Sequence, residues 1–432
     1  MAMTHNTRRQ FVDSCEKGIP GMASSVPLAE ISSCGWNVLR EDVPLPVAVL
    51  KEAQLRHNCD WMRRFVEASG ISFAPHGKTT MAPALFDMQL ANGAWAITVA
   101  TPHQIQVARQ FGYKRIILAN QLVGRSAIDY VLSELSSDLE FEFYCLVDSG
   151  DNLRQLSKSA AAANLRQRIN ALVEMGYPGG RTGCRSVEEG LSLAREVAAT
   201  GTVTLSGVEG FEGLLRGRSP SDSASMVNAF LDSVVELARA CDAEGLFGAG
   251  TPILSAGGSA YFDLVVEKFS TVLLSRAPRI VLRSGCYITH DSLMYTVAFE
   301  RMRQRSGVIA AMGEGLKPAL EVWAYVQSRP EKTLLIVGLG KRDISHDELP
   351  VPIAWFRPGE SAQPTAIQGG GHSVTGLNDQ HCYITAPSDS PLQVGDMVAF
   401  GVSHPCLTFD KWRVIHIVDA NYNITDSIRT YF

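Results

Sequence analysis

Between residues 70 and 290 the apolar positions switch repeatedly between two textures. Short β-rich apolar runs occur at Ile71–Pro75, Ile97–Thr101, Arg115–Asn120, Phe141–Val147, Ile169–Met175, Thr202–Gly207, Thr251–Ser255 and Arg279–Leu282. Stretches with helical spacing lie between them, among them Ala82–Ala91, His103–Phe111, Val187–Ala198 and Ala224–Ala243. Strand and helix patterns alternating eight times predict an α/β fold, a closed (β/α)8 TIM-like barrel rather than an open sheet. A span of roughly 220–250 residues suits such a barrel.

After residue 290 helical runs become scarce. Strand-like pieces recur at Gly307–Met312, Ala319–Ser328, Thr333–Gly338, Gln380–Thr385 and Asp396–Gly401, with Pro, Gly and Asp between them. This texture predicts an all-β domain over 291–432. The barrel is placed at 46–290. Residues 1–45, up to the Pro44-Leu45-Pro46 break, are expected to pack on the β-domain. The chain carries no internal repeat, low-complexity tract or long linker.

A chain of 432 residues is too long for one ordinary compact domain and suits two. Hydrophobic content of 46% and charged content of 19% fit a soluble globular protein. A net charge of −5, with Lys and Arg scattered, offers no footprint for nucleic acid. No apolar run reaches the ~18 residues expected of a membrane span. The two arginines near the start are followed by no apolar stretch of a secretory signal. Nine widely spread cysteines without a CxxC pattern point to reduced thiols and a cytoplasmic location.

Four segments carry candidate chemistry. Lys78, in Ala74-Pro-His-Gly-Lys-Thr-Thr-Met-Ala-Pro83, follows the first barrel strand, at the strand end where barrels place their chemistry. Partial burial there would free its amine to form a Schiff base with an aldehyde. The Gly-Lys-Thr string is not a phosphate loop, because Ser72 stands where that motif needs glycine. Arg181, in Gly176-Tyr-Pro-Gly-Gly-Arg-Thr-Gly183, can reach an anionic oxygen of a ligand. The glycine segments Ser255-Ala-Gly-Gly-Ser259 and Ser284-Gly-Cys-Tyr287 follow the seventh and eighth strands, the usual phosphate site of this barrel. The backbone N–H groups of Gly257, Gly258 and Ser259 are expected to form the cradle. His404 and Cys406 are one residue apart, and in an extended strand they would point to the same side. Imidazole plus thiolate suits zinc, or another first-row metal such as manganese, with positions left open for substrate. A core cysteine beside a hydrogen-bonded histidine fits that spacing equally well. His381, in Asn378-Asp-Gln-His-Cys382, is either a further ligand, an acid–base group or, as its first reading, a structural residue.

Taken together, these segments resemble the alanine-racemase-like class of pyridoxal-phosphate enzymes, and within it the D-serine dehydratase and D-threonine aldolase family. The order PHGKT, G-x-x-R-T-G, GGS, G-x-Y and His-x-Cys runs through most of the chain. The Ser-His-Pro-Cys run with Thr-Phe-Asp-Lys-Trp is similar to the dehydratase branch. The resemblance implies that Lys78, with His76 beside it, holds the cofactor and takes the substrate's α-proton. It implies Arg181 near the cofactor ring oxygen, and Gly257, Gly258, Ser259, Gly285 and Tyr287 around the phosphate. It implies a divalent metal on His404 and Cys406, and a homodimer with sites at the subunit interface. Where the family has a tyrosine–x–glycine–histidine run, the chain reads Val208-Glu-Gly-Phe-Glu-Gly213, so Phe211 would stack on or abut the ring without offering a hydroxyl, and the partner of the pyridine nitrogen is open. Lys341, Arg342 and Asp343 either line a site for a more polar substrate or form a solvated turn. The implied activity is a dehydratase converting a D-β-hydroxy-α-amino acid (D-serine, D-threonine, 3-hydroxy-D-aspartate or D-glucosaminate) to a 2-keto acid and ammonia. Its rivals are aldol cleavage to glycine and an aldehyde, racemisation, and non-enzymatic cofactor binding.

Overall fold

The computed structural model describes residues 10–21, 25–163, 165, 167–367 and 371–432. A two-stranded ribbon, β1 (Phe11–Val12) with β2 (Val26–Pro27), precedes β3 (Val47–Lys51) and the helix Glu52–Ser69. Eight parallel strands follow: β4 (Ser72–Phe73), β5 (Ile97–Val99), β6 (Arg115–Gln121), β7 (Glu142–Val147), β8 (Ile169–Met175), β9 (Val203–Gly210), β10 (Ile253–Ala256) and β11 (Arg279–Leu282). Their order is β4-β11-β10-β9-β8-β7-β6-β5. Between β4 and β5 the ring is completed by a parallel bridge of His76 with Thr98 and by Thr98 N donating to Pro75 O at 2.9 Å. Each strand run read from the sequence overlaps one of these strands. They are apolar on both faces because both are covered. On β6, Ile117 turns into the barrel with Leu146, Leu172, Ile253 and Val281, while Ile116 and Leu118 join the core under the helices.

The barrel strands tolerate little change where they touch. An added Cβ on Gly207 would stand 2.1 Å from Ile253 O, an immovable backbone atom of the neighbouring strand. Gly207→Ala should therefore destabilise the protein by about 2–4 kcal/mol, read as a lower denaturant midpoint.

The second sheet contains β12 (Leu320–Glu331), β13 (Leu334–Val337), β14 (Val351–Phe356), β15 (Thr365–Ala366), β16 (Ser373–Leu377), β17 (Cys382–Thr385), β18 (Met397–Gly401), β19 (Val414–Val418) and β20 (Ile424–Arg429). The long β12 lies centrally, antiparallel to β18 and to β13. Val47–Lys51, placed at the head of the barrel from sequence, instead pairs as β3 with β12 and β19 in this second sheet. The Pro44–Pro46 break therefore does not open the barrel; the chain leaves the β-sheet only at Glu52. Val12, Ile19, Leu28, Ile31 and Val38 share a core cluster with Trp323, Met397 and Val414 of this sheet.

Gly307–Met312, read as a strand, is helical over Gly307–Ala311. A five-residue apolar run carries no period that separates the two states. The Ser306 hydroxyl accepts from Ile309 N and starts the turn. Among the described residues no helix is long and apolar enough to cross a membrane.

Candidate functional site

The loops at the C-terminal ends of the barrel strands meet one corner of the β-domain. Lys78 sits on the single 3-10 turn Gly77–Thr79 directly after β4. Gly77 has no room for a side chain: a Cβ would lie 2.6 Å from Phe86 Cζ. The turn is thereby fixed, with Thr79 buried and Lys78 exposed. The expected partial burial of Lys78 is not found in the single chain, because the turn presents its side chain outward.

His76, one step before the turn, has a buried Nδ1 without a hydrogen-bond partner. Its pKa lies well below the ordinary value, first because it is buried and then because Lys78, Arg283 and Arg181 carry like charge nearby. Three cations from the loops after β4, β8 and β11 thus surround one imidazole.

One of the three, Arg283, belongs to a buried acid–base pair that the sequence pattern does not announce. Arg283, directly after β11, meets Glu209 of β9 with Nη2 2.5 Å from Oε2. Both are almost fully buried. The contact is an ion pair rather than an aligned hydrogen bond, and it leaves both Glu209 oxygens and Arg283 Nε without hydrogen-bond partners. Arg283 Nη2 also donates to Gly210 O at 2.9 Å. Burial pushes the Glu209 carboxyl up to about 8, against the pull of Arg283. Unsatisfied polar atoms at the mouth of a barrel suit a polar ligand that supplies their partners. Glu174 of β8 braces this side, accepting from the Thr182 hydroxyl at 2.6 Å and so anchoring the Arg181 loop. The Arg181 guanidinium lies 5.1 Å from the centre of the Phe211 ring.

The glycine loops and Tyr287 depart from the expected phosphate site in two ways. Gly257 N and Gly258 N do not face an open cradle: they donate to the two oxygens of Glu212, at 3.2 and 2.6 Å. Tyr287 is buried away from the mouth, with its hydroxyl toward Cys59 and Gln89 and its ring 5.1 Å from Phe73. It sits in the short 3-10 turn Cys286–Ile288, which rotates it outward. Gly285 is placed at the mouth, since a Cβ there would meet His76 O at 2.4 Å. Ser284 Oγ donates to Gly257 O at 3.0 Å and joins the two glycine loops.

His404 and Cys406 do come together, but not by strand alternation. Pro405 adopts helical angles and Cys406 opens the short helix Cys406–Phe409. A tight turn, rather than an extended backbone, brings imidazole and thiol side by side. That helix packs on the Lys78 turn: Cys406 Sγ donates to Thr79 Oγ1 at 3.4 Å. Cys286 Sγ stands 3.9 Å from Cys406 Sγ. Hydrogen bonds from Cys286 and then His404 hold the Cys406 thiol well below its ordinary pKa. Cys406, followed by Asp347, raises His404 to about 9. Among the described residues no group of three or more His, Cys, Asp or Glu is arranged to hold a metal. A metal here would have imidazole and thiolate as its protein donors, a set suited to a borderline first-row ion with open positions.

Asp347 Oδ2 lies 2.6 Å from His404 Nδ1 and so directs the other ring nitrogen away from it. Such a carboxylate–imidazole contact fixes tautomer and ring orientation. Asp347→Asn should loosen a metal at this site about 10–100-fold, measured by competition with a chelator. Lys341 and Arg342 are exposed, and Asp343 is buried, accepting from Lys17 at 3.0 Å. Asp343 also accepts from Gly340 N at 3.0 Å, and His381 is exposed.

The comparisons with known proteins agree with this layout. Residues 319–418 match the family model described as "Putative serine dehydratase domain". No curated protein sequence matches the chain. Solved structures do. D-threonine aldolase from Filomicrobium marinum has 20% identity and a TM-score of 0.74, over 92% of this chain and 97% of that one. A histidine-to-alanine mutant of D-threo-3-hydroxyaspartate dehydratase has 18% identity and a TM-score of 0.71, over 92% and 97%. A cysteine-to-alanine mutant of the same enzyme, in the metal-free form, has 19% and 0.71, over 92% and 99%. At these identities the likeness shows the fold. Residues 50–267, half of the chain, match the family model "Alanine racemase, N-terminal domain", and with barrel, β-domain and lysine turn in place the chain belongs to the alanine-racemase-like, fold-type III family of pyridoxal-phosphate enzymes.

Proposed function

We propose that this protein is a pyridoxal-phosphate- and metal-dependent lyase that dehydrates a D-amino acid carrying a β-hydroxyl, giving a 2-keto acid and ammonia. The observation that carries the reading is the contact of Cys406 with Thr79, which sets the imidazole–thiol pair against the lysine turn. A base for the α-proton and a metal for the β-hydroxyl are needed within one substrate's length of each other. The orphaned polar atoms of His76, Glu209 and Arg283 fit a polar cofactor in the mouth.

Bound there, the cofactor supplies an electron sink for the carbanion at the α-carbon and the metal a Lewis acid for the departing hydroxyl. Lys78 would hold the cofactor through its amine and would serve as the base for the α-proton. Arg181 and Arg283 bring positive charge to the ring side of the mouth. His404 and Cys406 would hold the metal, and Asp347 keeps the imidazole oriented. One water leaves across the α- and β-carbons and one is taken up when the released enamine hydrolyses, so the products are keto acid and ammonia. We place zinc before manganese in the site and expect a homodimer.

The test is to incubate the purified protein with D-serine, D-threonine, 3-hydroxy-D-aspartate and D-glucosaminate, with and without chelator. Ammonia and keto acid, lost on chelation, support the reading. Full turnover after chelation removes the metal from it. The likeness to a D-threonine aldolase keeps retro-aldol cleavage as the second reading; glycine plus an aldehyde from D-threonine would establish it.

A further inference from the structure

Glu212 occupies a position that a structural carboxylate has no ordinary reason to take. It is fully buried, two residues past the end of β9. Among the described residues no lysine or arginine makes an ion pair with it, and Arg283 acts on it only at a distance. Beside its own backbone N–H, its partners are two consecutive backbone N–H groups, Gly258 N to Oε1 at 2.6 Å and Gly257 N to Oε2 at 3.2 Å. Gly257 has φ +104°, a conformation glycine tolerates and other residues rarely adopt. That angle lets successive N–H groups converge on one anion, the arrangement by which backbone nests hold phosphate. Ser284 braces the loop in this shape, its Oγ donating to Gly257 O at 3.0 Å and to Gly258 O at 3.3 Å.

A built anion site after the seventh strand is therefore filled by the chain's own carboxylate. Two backbone N–H groups cannot serve a carboxylate and a phosphate together, and two anions in one buried loop repel. Burial raises the Glu212 carboxyl above its ordinary range, so its charge is held there at a cost. Resting on the cofactor reading above, we propose that Glu212 is an internal competitor of the cofactor's phosphate: the phosphate takes the Gly257 and Gly258 donors only as Glu212 leaves them, and this exchange sets how tightly the phosphorylated cofactor is held. Pyridoxal, which lacks the phosphate, makes no such demand.

The experiment strips the wild-type protein and Glu212→Gln of cofactor and titrates each with pyridoxal phosphate and with pyridoxal, following the visible absorbance of lysine-bound cofactor. The expected result is a Kd for pyridoxal phosphate at least tenfold lower in Glu212→Gln, with pyridoxal within twofold of wild type. An unchanged or weaker affinity for pyridoxal phosphate in the variant overturns the proposal and makes Glu212 a brace for the loop. Uptake of neither compound by either protein would bring down the cofactor reading as well, whereas equal uptake by both removes only the role of Glu212. If Glu212→Gln does not fold, the structure of the wild-type protein with pyridoxal phosphate decides. Glu212 turned off the two N–H groups supports the exchange; Glu212 still accepting from both overturns it.

Discussion

Lys78→Ala should abolish turnover, with kcat falling by at least about 10^4. The lysine is asked to do two things, to attach the cofactor and to move the α-proton, and no other amine shares its turn. Lys78→Arg should be no better, because a guanidinium stays protonated and neither attaches an aldehyde nor takes a proton. The decisive readout is covalent. After borohydride reduction and digestion, the wild-type protein should carry the cofactor's mass on the peptide containing Lys78, and the alanine variant on none. Retention of turnover, or of the mass at a different lysine, would remove Lys78 from the centre of the site. The fold should survive the change, since Lys78 is exposed and its turn is fixed by Gly77 against Phe86.

The second large effect concerns the imidazole–thiol pair. His404→Ala and Cys406→Ala should each lower kcat on a β-hydroxy substrate by on the order of 10^3, the rate equivalent of several kcal/mol of Lewis-acid assistance. Removal of metal by a chelator should do the same, and added metal should restore the wild-type protein but not the variants. Cofactor uptake should stay close to normal in all three cases, because the donors lie on the β-domain side of the mouth. This separates the two halves of the site. If cofactor absorbance is lost along with activity, the pair holds the barrel mouth together and the metal role is wrong. His404 has a further signature: its charge depends on Cys406 and Asp347, so Cys406→Ala should lower its pKa from about 9.

The barrel was legible because each of its strands is buried on both faces and reads as a short apolar run between helical periods. Nothing local told β3 from a barrel strand, since Val47–Lys51 has the same texture and its partners are Leu320–Trp323 and His416–Val418. Gly307–Ala311 was misread for a related reason: its length fits either state, and its Ser306 cap is a single hydroxyl. In the site, the residues with distinctive neighbours in sequence were legible: Lys78, Arg181, the glycine loops, and His404 with Cys406. Those defined by distant partners were not. Glu209 and Arg283 lie 74 positions apart, on and just beyond strands that do not neighbour each other, and Asp347 lies 57 positions from His404. Glu212, like Glu209, could have been flagged as a carboxylate among apolar residues and glycines, but only the fold shows that it faces Gly257 and Gly258. Tyr287 is expected at the phosphate only through the resemblance, and the 3-10 turn that carries it outward has no signature of its own.

The strand β3 also fixes an order of events during synthesis. It leaves the ribosome early, yet Lys51 finds its partner Glu321 only 270 positions later, and β19 later still. The barrel, built largely from neighbouring strand–helix units, waits only for β11 to close on β4, Val281 beside Ser72, before β12 is made. A nascent chain will therefore present a formed barrel with an unpaired apolar strand at its head, an edge prone to the wrong partner until β12 and β19 emerge. Chaperone demand should accordingly track the translation of β12 to β19, and His404 and Cys406, which lie between those strands, are made only after the barrel is complete.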